Sequence, residues 1–269
     1  MPPPAVQVSN SVQALAWRQK TLPQVESRLA GLWCVPVPIP DSPLMYSLIY
    51  VLRSPDGLVL VDAGWDSNTG WFALQEGLNC LGGSIKDIRK ILITHGHADH
   101  HGLSERIREA SGAWVGMHRR EAESLPRRHP EANSHRKSLE RFLHRAGVPD
   151  EEMESVCGDA EHHKRLNALI EPDGFIEDDE EFALGDWTLR AIWTPGHTPG
   201  HLCFFESQHR LLMSGDHLLP SITPNISLRP DQDENPYLLR HSCARGVVWP
   251  FGGSPDVLRA RPIVLPCPR

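Results

Sequence analysis

Five side chains able to bind a metal ion fall in one short stretch: His95, His97, Asp99, His100 and His101. Imidazole and carboxylate groups are the usual protein ligands of zinc and related divalent ions. His95 and His97 lie two apart, so in extended backbone they point the same way. Asp99 and His100 follow where the chain turns into a helix, within reach of a second ion beside the first. Gly96 leaves room for an unusual backbone angle between the two histidines. Packing gives no reason for such a density of titratable groups. Metal-assisted chemistry does, because a bound divalent cation polarises a carbonyl and brings the pKa of water to about 7.

The elements around this stretch read as supports for it. Lys90-Ile91-Leu92-Ile93-Thr94 has the β-branched content and shortness of a buried strand and delivers His95 at its end. Tyr46–Arg53 and Leu58–Val61 form a hairpin about the turn Pro55-Asp56-Gly57. Asp62 closes the hairpin, where a carboxylate is costly unless hydrogen-bonded or near a cation. Asn68–Leu81 has the 3.6-residue period of a helix, ended by Gly82-Gly83. A helix is expected over Asp99–Ala110 and a short strand over Ala113–Met117. Gly174–Trp193 reads as a pair of strands around Leu184-Gly185-Asp186, running into Thr194-Pro195-Gly196-His197. The Pro-Gly turn sets the direction in which His197 leaves, with His201 as the other candidate there. Strands at His201–Glu206 and Arg210–Ser214 lead to Gly215-Asp216, where two carboxylate oxygens suit a bridge between cations.

These segments together resemble the metallo-β-lactamase superfamily. Thr94-His95-Gly96-His97-Ala98-Asp99-His100 is similar to its His-x-His-x-Asp-His signature, and Leu58–Gly64 to its strand-then-Asp-Gly turn. Thr194–His201 looks like its third histidine motif and Ser214-Gly215-Asp216 like its bridging aspartate motif. The four occur in the family's order over about Ala30–Pro236. The resemblance implies an α/β fold, a four-layer αββα sandwich with metals at one edge of two sheets. It implies that His95, His97 and His197 bind one metal, that Asp99 and His100 bind a second, and that Asp216 bridges them. It selects His197 over His201 as ligand and implies that Asp62 supports the metal loop without binding metal. Zinc, one ion or two, is the expected cofactor, with iron or manganese as substitutes. The implied reaction is hydrolysis of an ester, thioester, lactone or amide bond, with Asp99 as the proton-transfer group. A second implied class is a mononuclear-iron oxidoreductase similar to persulfide dioxygenases.

The whole chain bounds these readings. Its 269 residues, 40% of them hydrophobic, suit one large domain with an insertion. The domain is expected over 30–236, preceded by a flexible lead-in over 1–29. A helical insert is expected over about 118–170, where the composition shifts from His118 to about Arg145 and Pro149–Ile170 is acidic first and then mixed. Arg119, Arg120, Arg127, Arg128, Arg136, Lys137, Arg141 and Arg145 there outnumber Glu121, Glu123, Glu131 and Glu140. The segment reads as inserted helices forming a lid, with its charges on a solvated face and His118, His129, His135, His144, His162 and His163 at the surface. The formal net charge of −7 disfavours a nucleic-acid partner, leaving a small-molecule substrate. Six scattered cysteines suggest a reducing cytoplasm and mostly buried thiols. Neither a signal peptide nor a membrane span is indicated.

After about Tyr237 the resemblance stops. The family continues with a helix, a buried strand and a last histidine that completes the second metal site. Residues 237–269 are instead rich in Arg, Pro, Gly and Cys, and their only histidine is His241. The segment reads as an altered reading frame or as a divergent end in which His241 or water completes the site. Either leaves open a catalytically impaired protein.

Overall fold

The computed structural model describes residues 11–125, 140–157 and 171–219. Eleven strands among them form two sheets. The larger has the order β1 (Glu26–Leu29), β2 (Leu32–Pro38), β3 (Tyr46–Ser54), β4 (Gly57–Val61), β5 (Ile88–Leu92), β6 (Trp114–His118) and β7 (Gly174–Ile176). Neighbours from β1 to β4 are antiparallel, and those from β4 to β7 are parallel. The smaller sheet is an antiparallel meander of β8 (Glu181–Leu184), β9 (Trp187–Trp193), β10 (Leu202–Glu206) and β11 (Leu211–Met213).

The central strands of the larger sheet are apolar on both faces because both are covered. Val61, Leu92, Val59 and Leu52 meet Leu189, Ala191, Leu202 and Phe204 of the smaller sheet. On the other side Leu60, Ile91 and Val115 pack with Leu74, Leu78 and Ile107 of the helices α2 (Asn68–Cys80) and α4 (Ser104–Ser111). Helix α2 starts at Ser67, whose hydroxyl accepts the Gly70 N–H at 2.9 Å. It ends as Gly82, at φ 76°, turns the chain away. Helices on sheet on sheet are three layers of the expected αββα sandwich.

Several expectations need correction. Residues 1–29 are not wholly a loose lead-in. Ser11–Gln19 forms the helix α1, and Glu26–Leu29 is the edge strand β1, paired to β2 through Cys34, Trp33 and Leu32. That pairing stops before Pro36 and Pro38, so the prolines occupy the part of β2 beyond β1, where a missing N–H donor is tolerated. The helix expected over Asp99–Ala110 is two, α3 (Ala98–His101) and α4. The chain breaks because the Leu103 N–H turns to the Gly64 carbonyl at 3.0 Å. Gly174–Trp193 holds three strands rather than two, the first of which joins β6 in the larger sheet.

Of the insert, α5 (Arg119–Ser124) follows β6 directly and a further helix spans Asp150–Cys157. His118 is buried at its start, stacked on Trp193 at 5.3 Å between ring centroids, not at the surface. His144 is exposed. His129, His135, His162, His163, His241 and residues 237–269 as a whole lie outside the described residues. Cys34 and Cys203 are buried, whereas Cys80 is exposed. No helix among the described residues is long and apolar enough to cross a membrane.

Candidate metal centre

The carboxyl ends of β4 and β5, the β9–β10 loop and the end of β11 meet at one edge of the two sheets. A backbone hydrogen bond joins the sheets there, from Leu202 N–H to the Thr94 carbonyl at 2.8 Å. It fixes the strand that carries His95 against the strand that follows His197.

Three imidazole nitrogens converge at this junction. His95 Nε2 and His197 Nε2 each lie 3.0 Å from His97 Nδ1. With an Asp216 oxygen, these ligand atoms all lie within 4.8 Å of one another. A neutral imidazole nitrogen is either a donor or an acceptor, so His97 Nδ1 cannot serve two ring partners well. A shared cation resolves the crowding. Zinc–nitrogen bonds of about 2.0–2.1 Å place tetrahedral ligand atoms roughly 3.3 Å apart, close to the spacing observed. The donor set therefore fits a divalent ion.

A second group adjoins the first through Asp216. Its Oδ2 lies 3.4 Å from His197 Nε2, while its Oδ1 lies 3.3 Å from His100 Nε2. Asp99 Oδ2 is 3.5 Å from the same His100 nitrogen. The structure thus brings His95, His97, Asp99, His100, His197 and Asp216 into one cluster, with Asp216 facing both halves.

Asp62 sits beneath it. Its backbone adopts φ 65° as β4 ends, turning the carboxylate across to β5. There it accepts the Thr94 N–H at 2.8 Å, the Thr94 hydroxyl at 2.9 Å and a bond from His100 Nδ1 at 2.7 Å. That bond orients the His100 ring and leaves Nε2 toward Asp99 and Asp216.

His201 is placed differently from His197. It is fully buried and stacked on His95. Its Nδ1 meets the Thr194 hydroxyl at 2.8 Å, and its Nε2 accepts the Asp216 N–H at 3.2 Å. Both ring nitrogens are engaged, so His201 supports the backbone of Asp216. His101 is buried and is not among the side chains that converge with His95, His97, His197 and Asp216. Cys203 lies near, bonded to Ser214 O at 3.4 Å, but burial pushes its thiol up to about 12, so it stays protonated.

The electrostatics divide the cluster. Burial, and then the neighbouring imidazoles, hold His95 far below the usual histidine range and bring His97 to about 3. Both present neutral rings with lone pairs. Burial also disfavours a charged His100, but Asp99, Asp62 and Asp216 outweigh it and raise that group well above the usual range. Burial works against the charge on Asp216 too. His100, His197 and His201 prevail and hold its carboxyl well below the usual range. The neutral-imidazole half and the carboxylate-rich half are both surroundings that a cation favours.

One residue tied into this site was not singled out from the sequence. Glu121, counted among the acids of a solvated insert, is 1% exposed. It accepts hydrogen bonds from Gly96, Thr198 and Gly200. Its position in the first turn of the helix after β6 was the one sequence signal, and its exposed neighbours masked it.

Comparison with known proteins agrees with this fold. A family model described as the metallo-beta-lactamase superfamily matches residues 43–250. The chain is 31% identical over 175 residues to the probable metallo-hydrolase YflN of Bacillus subtilis, covering 62% of this chain and 58% of that one. It is 25% identical over 134 residues to the hydroxyacylglutathione hydrolase GloC of Haemophilus influenzae, covering 48% and 50%. The chain thus spans little more than half the length of these curated relatives. Among solved structures, a metallo-beta-lactamase family protein of Thermus thermophilus, TTHA1429, matches with a TM-score of 0.65 and 31% identity, over 80% of this chain and 69% of that one.

Proposed function

We propose, for a chain that belongs to the metallo-beta-lactamase superfamily, a metal-dependent hydrolase that cleaves an ester, thioester, lactone or amide bond of a small molecule. The observation that carries this reading is the convergence of the His95, His97 and His197 nitrogens beside an aspartate that faces both halves of the cluster. One or two divalent ions, zinc foremost, would be held there, and when bound would supply Lewis acidity and a water acidic enough to act at neutral pH.

The chain's own groups would do the rest. His95, His97 and His197 would hold the first ion, Asp99 and His100 the second, and Asp216 would span the two. Asp62 keeps His100 pointed at the site. Asp99 is less enclosed than His100, and its carboxylate would accept the proton that the attacking water gives up and pass it to the leaving group. No serine or cysteine nucleophile is needed. The name of the Haemophilus relative, a hydroxyacylglutathione hydrolase, favours testing thioesters alongside lactones, esters and β-lactams.

Metal content per chain, measured by elemental mass spectrometry on purified protein, tests the reading. The expected result is one or two zinc ions, lost in a His95→Ala, His97→Ala double variant, with hydrolysis of at least one substrate class lost in parallel. A folded sample that binds no divalent ion would sink it. One iron per chain would redirect it to oxygen chemistry of the persulfide dioxygenase kind.

A further inference from the structure

We propose that Glu121 is a positioning residue that locks the two metal-binding loops to each other. The inference rests on the metal-site reading above and extends it to a residue outside the ligand set. Glu121 Oε1 accepts the Gly96 N–H at 2.7 Å. Its Oε2 accepts the Thr198 hydroxyl and the Gly200 N–H, each at 2.8 Å. Gly96 separates His95 from His97 on the larger sheet. Thr198 follows His197, and Gly200 precedes His201, in the loop of the smaller sheet. One carboxylate therefore clasps both loops from outside the cluster.

The loops are built for this contact. A Cβ on Gly96 would stand 2.9 Å from Glu121 Oε1 and 2.4 Å from Leu125 Cδ2, and one on Gly200 would stand 2.2 Å from Glu121 N. Only glycine at both positions lets α5 lie directly on the loops. Glu121 is enclosed although Arg119, Arg120 and Glu123 on the same helix are more open to solvent. A carboxylate accepts all three donors, whereas an amide must turn its NH2 toward at least one of them. A residue that holds ligand-bearing loops in register sets metal affinity without touching the metal, typically by about 10–100-fold.

The test compares Glu121→Gln with Glu206→Gln. Glu206 is equally buried, but among the described residues it accepts the N–H groups of Gln208 and His209 and a bond from the His209 ring, in the β10–β11 turn. Metal-free forms of both variants and of the unmodified protein are titrated with Co2+, following the visible d–d bands, and melted without metal. Both variants should lose thermal stability. Only Glu121→Gln should bind Co2+ about 10–100-fold more weakly, with shifted or weakened bands. An unchanged affinity and spectrum in Glu121→Gln, or an equal loss in Glu206→Gln, overturns the proposal. If the unmodified protein takes up no Co2+, the metal reading itself has failed instead. Thr198→Val removes one donor and leaves the backbone clasp, so it covers the case in which Glu121→Gln does not fold. It should weaken Co2+ binding severalfold, and unmodified affinity there also counts against the proposal.

Discussion

Asp62 occupies φ 65°, a left-handed conformation that costs most L-residues roughly 1–2 kcal/mol and that Asp and Asn tolerate best. The conformation serves the hydrogen bonds, since it aims the carboxylate at Thr94 and at His100 Nδ1. Two substitutions separate these roles. Asp62→Asn keeps the backbone preference but removes the anion that orients His100. It should melt within a few degrees of the unmodified protein yet hold the second metal about 10–100-fold more weakly. Asp62→Ala loses the Thr94 hydrogen bonds as well and adds the backbone cost. It should match Asp62→Asn in metal titration but melt lower by a further few degrees, at roughly 2–4 °C per kcal/mol for a domain of this size. Equal melting temperatures in the two variants would show that neither the Thr94 hydrogen bonds nor the left-handed backbone contributes measurably to stability. The cluster at this level was readable from the sequence because candidate ligands and their spacings are local: His95, His97, Asp99, His100, His197 and Asp216, which the structure brings together, each follow a recognisable apolar run. The groups that were not readable, Glu121 and the buried His118, owe their roles to contacts made far along the chain.

Helix α2 shows the same division between local and distant causes. Its extent follows from Ser67, from the period of Trp71, Leu74 and Leu78, and from Gly82-Gly83, all present in the sequence. Its closeness to the sheet follows from Gly77, which no period reveals. A Cβ there would lie 2.3 Å from Val35 Cγ1 and 3.2 Å from Val35 Cγ2. By helix propensity alone, Gly77→Ala should stabilise by about 1 kcal/mol. Overpacking of a β-branched neighbour on a central strand costs typically about 1–3 kcal/mol, so the net effect should be destabilising. Chemical denaturation should show a lower midpoint with an unchanged slope, and Val35→Ala should restore part of the loss in the double variant. A rise in midpoint for Gly77→Ala alone would mean that α2 shifts off β2 freely. The break between α3 and α4 belongs here as well. The pattern of Leu103 and Ile107 reads as one continuous helix, and only the Gly64 carbonyl, brought in by β4, takes the Leu103 N–H out of it. The assignment of β7 to the larger sheet has the same origin, for pairing partners are set by topology.

Taken as one body, the molecule places its proposed ligands on both sheets. His95 and His97 extend the larger sheet, and His197 and Asp216 extend the smaller one, while the inter-sheet core of Val61, Leu92, Leu189 and Leu202 lies directly behind them. Metal binding should therefore stabilise the packing of one sheet on the other as well as the loops themselves. A ligand that binds only the folded state adds about 2.7 kcal/mol at a hundredfold excess over its dissociation constant, which corresponds to roughly 5–11 °C in melting temperature for a domain of this size. Removing metal with a chelator should lower the melting temperature by that order, and returning zinc should restore it. Amide hydrogen exchange tells where the stabilisation acts. If the ion clamps the sheets, its removal should speed exchange in β5 and in β9–β10 together, including the Leu202 N–H that bridges to Thr94. If exchange rises only in the loops around His95–His100 and Thr194–His201, the sheets hold each other without the metal, and the ion serves the chemistry alone.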